Sequence, residues 1–165
     1  SKRIEIDLED FSIGKIKHPH LVTHLTISTS NFHDDICNFT QLNVLSITYD
    51  DDISLERLSK QLSKCSSLTT LRLINFENLV CTSEMFTHLQ HLKTIDLKES
   101  HASLKGTSLP TNTRILWKKS IYDKAVPIID KCSINILEEE YGIQDSYRVG
   151  LALWKNKTQE AQHSS

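Results

Sequence analysis

The chain has 165 residues and a formal net charge of −2; 38% of its residues are hydrophobic and 24% are charged. This supplies one domain with a real core and excludes a disordered tail. No basic excess draws the chain to phosphate backbones or anionic lipid, and no apolar run approaches the roughly 20 residues of a spanning helix, so neither nucleic acid nor membrane is an expected partner.

A first strand is entered at Arg3, with Ile6 and Leu8 inward and Phe11 at the end of the unit. A second starts at Val22, with Leu25 and Ile27 inward. The next three share one phrase: Leu42-x-x-Leu45-x-Ile47, Leu68-x-x-Leu71-x-Leu73 and Leu92-x-x-Ile95-x-Leu97. Counting each first residue as position 1, apolar residues recur at positions 1, 4 and 6. A phrase repeated at this period predicts a solenoid, a stack in which each unit buries its apolar edge against its neighbours. Two further strands follow with a weaker pattern. One has Thr113 at position 1 and Leu116 at position 4, with Lys118 in an inward slot. The other covers Ile134-Asn135-Ile136-Leu137. Start-to-start spacings run 20, 26, 24, 21 and 21 from Val22 to Ile134, so the return segments differ in length while the strands stay comparable.

Between the strands, Ser54 caps a helix with Leu55, Leu58 and Leu62 on one face. Ser83 caps a second, with Met85, Phe86 and Leu89 inward. The segments 31–40 and 101–108 read as loops or single helical turns. Past residue 140 the pattern changes. Ile143, Tyr147, Gly150, Leu151 and Trp154 form a helical stripe, with Asp145 or Ser146 able to cap the helix, and a stack needs such a helix over its last apolar edge. The expected organisation is therefore repeats over 1–140, a capping helix over 141–157 and a polar tail over 158–165. A chain that begins almost directly in a strand is expected to belong to a larger chain or complex.

The four cysteines, Cys37, Cys65, Cys81 and Cys132, stand far apart with no C-x-x-C pair, and no His cluster has ligand spacing. Reduced thiols buried as small hydrophobes are expected, with no metal and no cofactor, which suits a cytoplasmic or nuclear protein. The matches Asn38-Phe39-Thr40 and Asn156-Lys157-Thr158 are of the kind a Ser/Thr-rich chain contains by chance.

These phrases resemble the leucine-rich repeat family. The strongest match is Cys65-Ser66-Ser67-Leu68-Thr69-Thr70-Leu71-Arg72-Leu73, preceded by the helical Leu58-Ser59-Lys60-Gln61-Leu62-Ser63-Lys64. Intracellular members share a helix and a Cys just before the next strand, among them F-box-associated substrate receptors and the sensor regions of nucleotide-binding receptors. The resemblance covers Ile4 to Leu137 and implies an α/β fold: a curved parallel sheet, helices and loops on its convex side, and a concave face that binds protein. Position 9 departs from the family, which places Asn or Cys there; this chain has Phe76 and Ser100.

Alternation along a strand sends positions 3, 5 and 7 out of the concave face. Those columns are His24, Thr26 and Ser28; Val44, Ser46 and Thr48; Thr70, Arg72 and Ile74; Thr94, Asp96 and Lys98; and Ile115, Trp117 and Lys119. Interface hot spots favour Trp and Arg. The candidate partner-binding residues are accordingly Arg72, Ile74, Asp96, Lys98, Trp117 and Lys119, with Arg72 and Asp96 also placed to pair across adjacent strands. Tyr49-Asp50-Asp51-Asp52 forms an acidic lip past a strand end, a solvated loop able to steer a basic partner. Eight histidines occur, but none stands in a motif beside a nucleophile. There is no G-x-S-x-G, no H-E-x-x-H and no phosphate-cradling glycine loop. The expectation is a non-catalytic scaffold that recognises protein partners, either the substrate-receptor part of a ubiquitin ligase or a sensor and regulatory region of a larger assembly.

Overall fold

A computed structural model describes residues 2–8, 13–104, 107, 109–110, 113–117 and 136–139. Among them, seven parallel strands form one open sheet: β1 (Glu5–Leu8), β2 (His24–Ser28), β3 (Val44–Thr48), β4 (Thr70–Ile74), β6 (Thr94–Glu99), β8 (Arg114–Trp117) and β9 (Ile136–Glu139). Two short strands, β5 (Leu79–Val80) and β7 (Ala102–Ser103), pair with each other in a separate small sheet. Within the large sheet, each strand lies beside the one before it in the chain, so every crossover is between neighbours.

The repeated phrase corresponds to a repeated piece of backbone. A tight turn precedes β2, β3, β4 and β6, closed by a hydrogen bond from position 1 to a carbonyl three residues earlier: Val22 to Pro19, Leu42 to Phe39, Leu68 to Cys65 and Leu92 to Leu89. The N–H groups of positions 2 and 3 then share one carbonyl of the preceding unit, as Thr69 and Thr70 do with Asn43 at 2.9 and 3.2 Å. This fixes the register. At position 4, Ile6, Leu25, Leu45, Leu71, Ile95, Ile115 and Leu137 lie side by side across the sheet. From Leu25 to Ile115 that ladder is at most 1% exposed, and so are Leu8, Ile27, Ile47, Leu73 and Leu97 at position 6. Ile6 is only partly buried because β1 has a neighbour on one side alone.

The return segments cover this apolar face in one continuous core. Between β3 and β4 lies the α-helix α1 (Leu55–Leu62), where the Ser54 hydroxyl accepts from the Arg57 N–H at 3.1 Å. Leu58 and Leu62 are fully buried, but Leu55 is 38% exposed, and Gln61 is buried in its place. Gln61 donates to Asp34 at 2.9 Å, and Lys64 reaches the same carboxylate at 2.7 Å. These bonds tie the helix to the 3-10 stretch Asp34–Asn38 of the preceding return. The helix expected after Ser83 is a single 3-10 turn, Ser83–Met85, entered from Thr82. Met85, Phe86 and Leu89 still point inward; one turn is enough to bury them. Cys65 and Cys81 are buried, and burial pushes both thiols up to about 12. Cys37, expected to be buried, is exposed.

Two single-residue shifts separate the structure from the sequence reading. In β6 one residue is inserted: Arg72 pairs with Asp96, but Ile74 pairs with Glu99 rather than Lys98. In β8 one residue is lost. Thr113 is buried and closes the same turn onto Pro110, as position 1 should. However, the strand begins at the next residue, with Arg114 beside Thr94. A one-residue slip exchanges the faces of a strand. Ile115, expected outward, is therefore 1% exposed in the core ladder, and Leu116, expected inward, is only partly buried. β9 keeps the expected register from Ile136. Phe11, Ile134, Lys118, Cys132 and the capping helix lie outside the described residues.

Position 9 solves its backbone problem with a hydroxyl. Ser100, 1% exposed, accepts from the Phe76 N–H at 3.1 Å and donates to the Leu73 carbonyl at 2.6 Å. It links two consecutive turns by satisfying groups that would otherwise be buried without partners.

Replacing Leu71 by Ala is expected to cost about 2–5 kcal/mol in urea unfolding, since the ladder on both sides prevents collapse into the cavity. Ser100→Ala is expected to cost about 1–3 kcal/mol by orphaning two buried backbone groups; a Ser100→Ala protein as stable as wild type would show that this bridge is dispensable.

Candidate functional site

The outer face of the sheet carries short polar side chains over β2 and β3: Thr26, Ser28, Ser46 and Thr48. It changes character at β4 and β6, where Arg72, Asp96 and Lys98 come together. Asp96 is the centre. Its side chain is 11% exposed and receives the Arg72 Nε at 3.3 Å, with the Lys98 ammonium 3.7 Å away. It also accepts from the Lys98 backbone N–H at 3.0 Å. This last bond spans two residues of the same strand and lies at the inserted residue of β6. An aspartate that bonds the backbone two positions on is a recurrent way to hold such a deviation.

The carboxylate therefore positions both cations. Arg72 has five N–H donors, and among the described residues only Nε is engaged. Its two Nη groups make no hydrogen bond among the described residues, and its side chain is 43% exposed against 35% for Lys98. Ile74, half-buried on the same strand, lies two residues on. Arg114 is exposed in the next column, in register with Thr94. At the opposite end of the sheet, exposed Glu5 and Asp7 occupy β1, with Glu5 paired to Arg3 at 3.0 Å. The outer face thus runs from acidic at β1 to mixed at β4–β8, where Arg72, Lys98 and Arg114 stand with Asp96 and the exposed Glu99.

Of the residues expected to bind a partner, Arg72, Asp96, Lys98 and Ile74 form one patch. The insertion takes Lys98 out of register with Ile74 and aims it at Asp96. Trp117 is the last residue of β8, paired with Glu139, and falls on the strand whose register the lost residue shifts. Lys119 lies outside the described residues. Sequence periodicity gave no sign of the insertion; the only cue was an aspartate two positions before a lysine in mid-strand.

The acidic lip is more ordered than a solvated loop. The Asp50 carboxylate accepts from the Thr29 hydroxyl at 2.8 Å, the Ser30 N–H at 3.0 Å and the Ser30 hydroxyl at 2.7 Å. Burial works to raise its pKa, but these bonds outweigh burial and hold it at about 2, below the ordinary 3.8. The Tyr49 hydroxyl donates to Asp52, and that bond pushes the phenol pKa up. Beyond the lip, the residues 49–55 and 76–80 enclose a cleft of about 330 Å³.

Among the described residues no group of three or more His, Cys, Asp or Glu is placed to hold a metal ion, and no helix is long and apolar enough to cross a membrane. No family model, curated protein or solved structure matches the chain.

The hydrogen-bonded carboxylates give stability a pH dependence of definite sign. Asp34, held at about 2 first by the Gln61 amide and then by Lys64, and Asp50 both have folded pKa values below the ordinary 3.8. Their contributions are complete above the unfolded value and are lost as pH falls from about 4 towards 2. The urea midpoint of the wild-type protein should fall through this window, and that of Asp50→Asn should fall less steeply. Parallel curves for the two proteins would remove Asp50 from the account.

Proposed function

We propose that the chain is a leucine-rich-repeat solenoid acting as a non-catalytic scaffold, and that it grips a protein partner on the outer sheet face at Arg72, with Lys98 and Ile74 beside it and Asp96 as their anchor. The repeat assignment draws support from the recurrence of one turn, one shared carbonyl and one apolar ladder in successive units. Curvature follows from spacing. Strands repeat at about 4.8 Å whereas a helix is about 10 Å across, so a stack with bulkier returns on one side bends with its sheet on the concave side.

One observation carries the binding role: a half-exposed arginine is fixed by a nearly buried carboxylate through Nε alone, with both Nη groups unengaged among the described residues. A guanidinium held in this way loses little side-chain entropy on binding and suits bidentate recognition of a carboxylate. The partner is thus a protein with an acidic residue at the contact. The short side chains of β2 and β3 let that partner lie close to the sheet. The setting we favour is the substrate-receptor part of a ubiquitin ligase, on the strength of the resemblance carried by Cys65 to Leu73 and the helix before it.

Capture from native lysate followed by mass spectrometry, with wild type and Arg72→Ala compared, tests this reading. Proteins enriched by the wild type should be lost from the variant, consistent with a hot-spot penalty of about 2 kcal/mol or more. Urea unfolding should differ by about 1 kcal/mol or less, because the Lys98 ammonium and its backbone N–H still hold Asp96. Equal capture by the two proteins would remove the binding role from this face.

A further inference from the structure

We propose that the open edge of β5, together with the cleft beside it, takes an added strand from a partner: an extended segment in which apolar residues alternate with lysine or arginine. The surface is separate from the outer sheet face. It lies beyond the ends of β3 and β4, between the stretch that leaves β3 and the stretch that leaves β4.

The edge is defined by the direction of backbone hydrogen bonds. β5 pairs in parallel with β7, Leu79 beside Ala102, and the Leu79 N–H donates to the His101 carbonyl at 3.2 Å. Along a strand, successive residues direct their N–H and C=O groups to opposite sides. Leu79 therefore spends its groups on β7, and Asn78 and Val80 direct theirs the other way. In the preceding unit the equivalent stretch, Asp51–Ser54, is not a strand and does not pair with β5. The gap between the two stretches is the 330 Å³ cleft, bounded by Ile53 and Tyr49 on one side and by Phe76, Asn78 and Val80 on the other. An exposed strand edge with unpaired groups is a template for strand addition.

Side chains specify what is added. Val80 is 56% exposed and Leu55 38%, the two most exposed apolar residues of the cleft lining, and the Tyr49 and Phe76 rings meet at 5.5 Å in the cleft wall. The cleft has room for a few aliphatic side chains. Its rim is acidic: Asp51, Asp52 and Glu77 are all exposed, and none forms an ion pair among the described residues. Alternation on an added strand places one row of side chains in the cleft and the other towards the rim. Apolar residues suit the first row and cations the second. The rim is also preorganised, because Thr29 accepts from the Asp50 and Asp51 N–H groups at 3.2 and 3.1 Å and the Tyr49 hydroxyl holds Asp52.

The test uses the full chain and a short fluorescent peptide alternating lysine and valine, with polarisation read as binding and amide hydrogen exchange read at Val80. The peptide should bind, and Val80 should exchange freely in the protein alone and slowly in the complex. Asp51→Asn combined with Glu77→Gln should weaken binding about tenfold at low salt, with the difference shrinking as salt rises. Peptides N-methylated at alternate residues should separate sharply: the set that blocks the bonding edge should fail and the other should bind. Equal binding of both methylated sets overturns strand addition, and equal binding of a glutamate–valine peptide overturns the electrostatic assignment. Val80 protection already present without peptide means that the edge is occupied by another part of the chain or a second copy, and likewise overturns the proposal.

Discussion

The structure depends on one constraint, the register set where each strand is entered. Two N–H groups of one unit converge on a single carbonyl of the unit before it, and that pairing decides which side chains share a column. Because each column is continuous, an apolar residue at position 4 contacts its counterparts in both neighbouring units rather than a scattered set of residues. The hydrophobic gain of roughly 25 cal/mol per Å² is therefore collected along unbroken ladders, and a unit at the edge, such as β1, collects less of it, as the partly buried Ile6 shows. The returns are free to vary in length because they need only cover the ladder. α1 does so with two buried leucines, and the 3-10 turn at Ser83–Met85 does so with Met85 and Phe86 at its end.

The same constraint explains what could be read from the amino-acid order. Three phrases that repeat apolar residues at identical offsets leave little choice of register, and Leu45, Leu71 and Ile95 fall where that periodicity requires. Val22, Leu25 and Ile27 follow from the same rule. The helix at Leu55–Leu62 was legible as a helix, but its burial was not fully legible: Leu55 obeys the periodicity yet faces the cleft, and the buried Gln61 is kept by a partner 27 residues away, Asp34. A pattern method sees which side chains are apolar. It does not see a carboxylate that gives a buried amide N–H its partner.

The insertion in β6 and the loss in β8 were illegible for a further reason. Both alter backbone count without altering the local apolar pattern. Thr113 still closes its turn, so the unit looks regular until the strand starts one residue early. The exchange is visible only once Ile115 is found in the core and Leu116 on the other face. Where the pattern offers an apolar residue on both faces, as Ile115-Leu116 does, nothing in the sequence penalises the wrong register, and the hydrogen bonds to the preceding strand decide.

The candidate site gathers at these irregularities. In β2 and β3, where the ladder runs without interruption, the outer face holds only Thr, Ser, Val and His in register. At the inserted residue of β6, Asp96 turns back onto the Lys98 N–H and draws both Arg72 and Lys98 to itself. A regular strand at this point would place Lys98 beside Ile74 and leave Asp96 with a cross-strand partner alone. The insertion converts two separate columns into a three-residue cluster around one nearly buried carboxylate. Its cost is one disrupted ladder bond, and bulges are known to re-aim side chains next to functional sites. Burying a carboxylate is unfavourable unless it is paired and hydrogen-bonded, and Asp96 has two cations and a backbone donor. The position and orientation of Arg72 thus follow from the backbone of the neighbouring strand, and the sheet holds it rigid where a loop would leave it mobile.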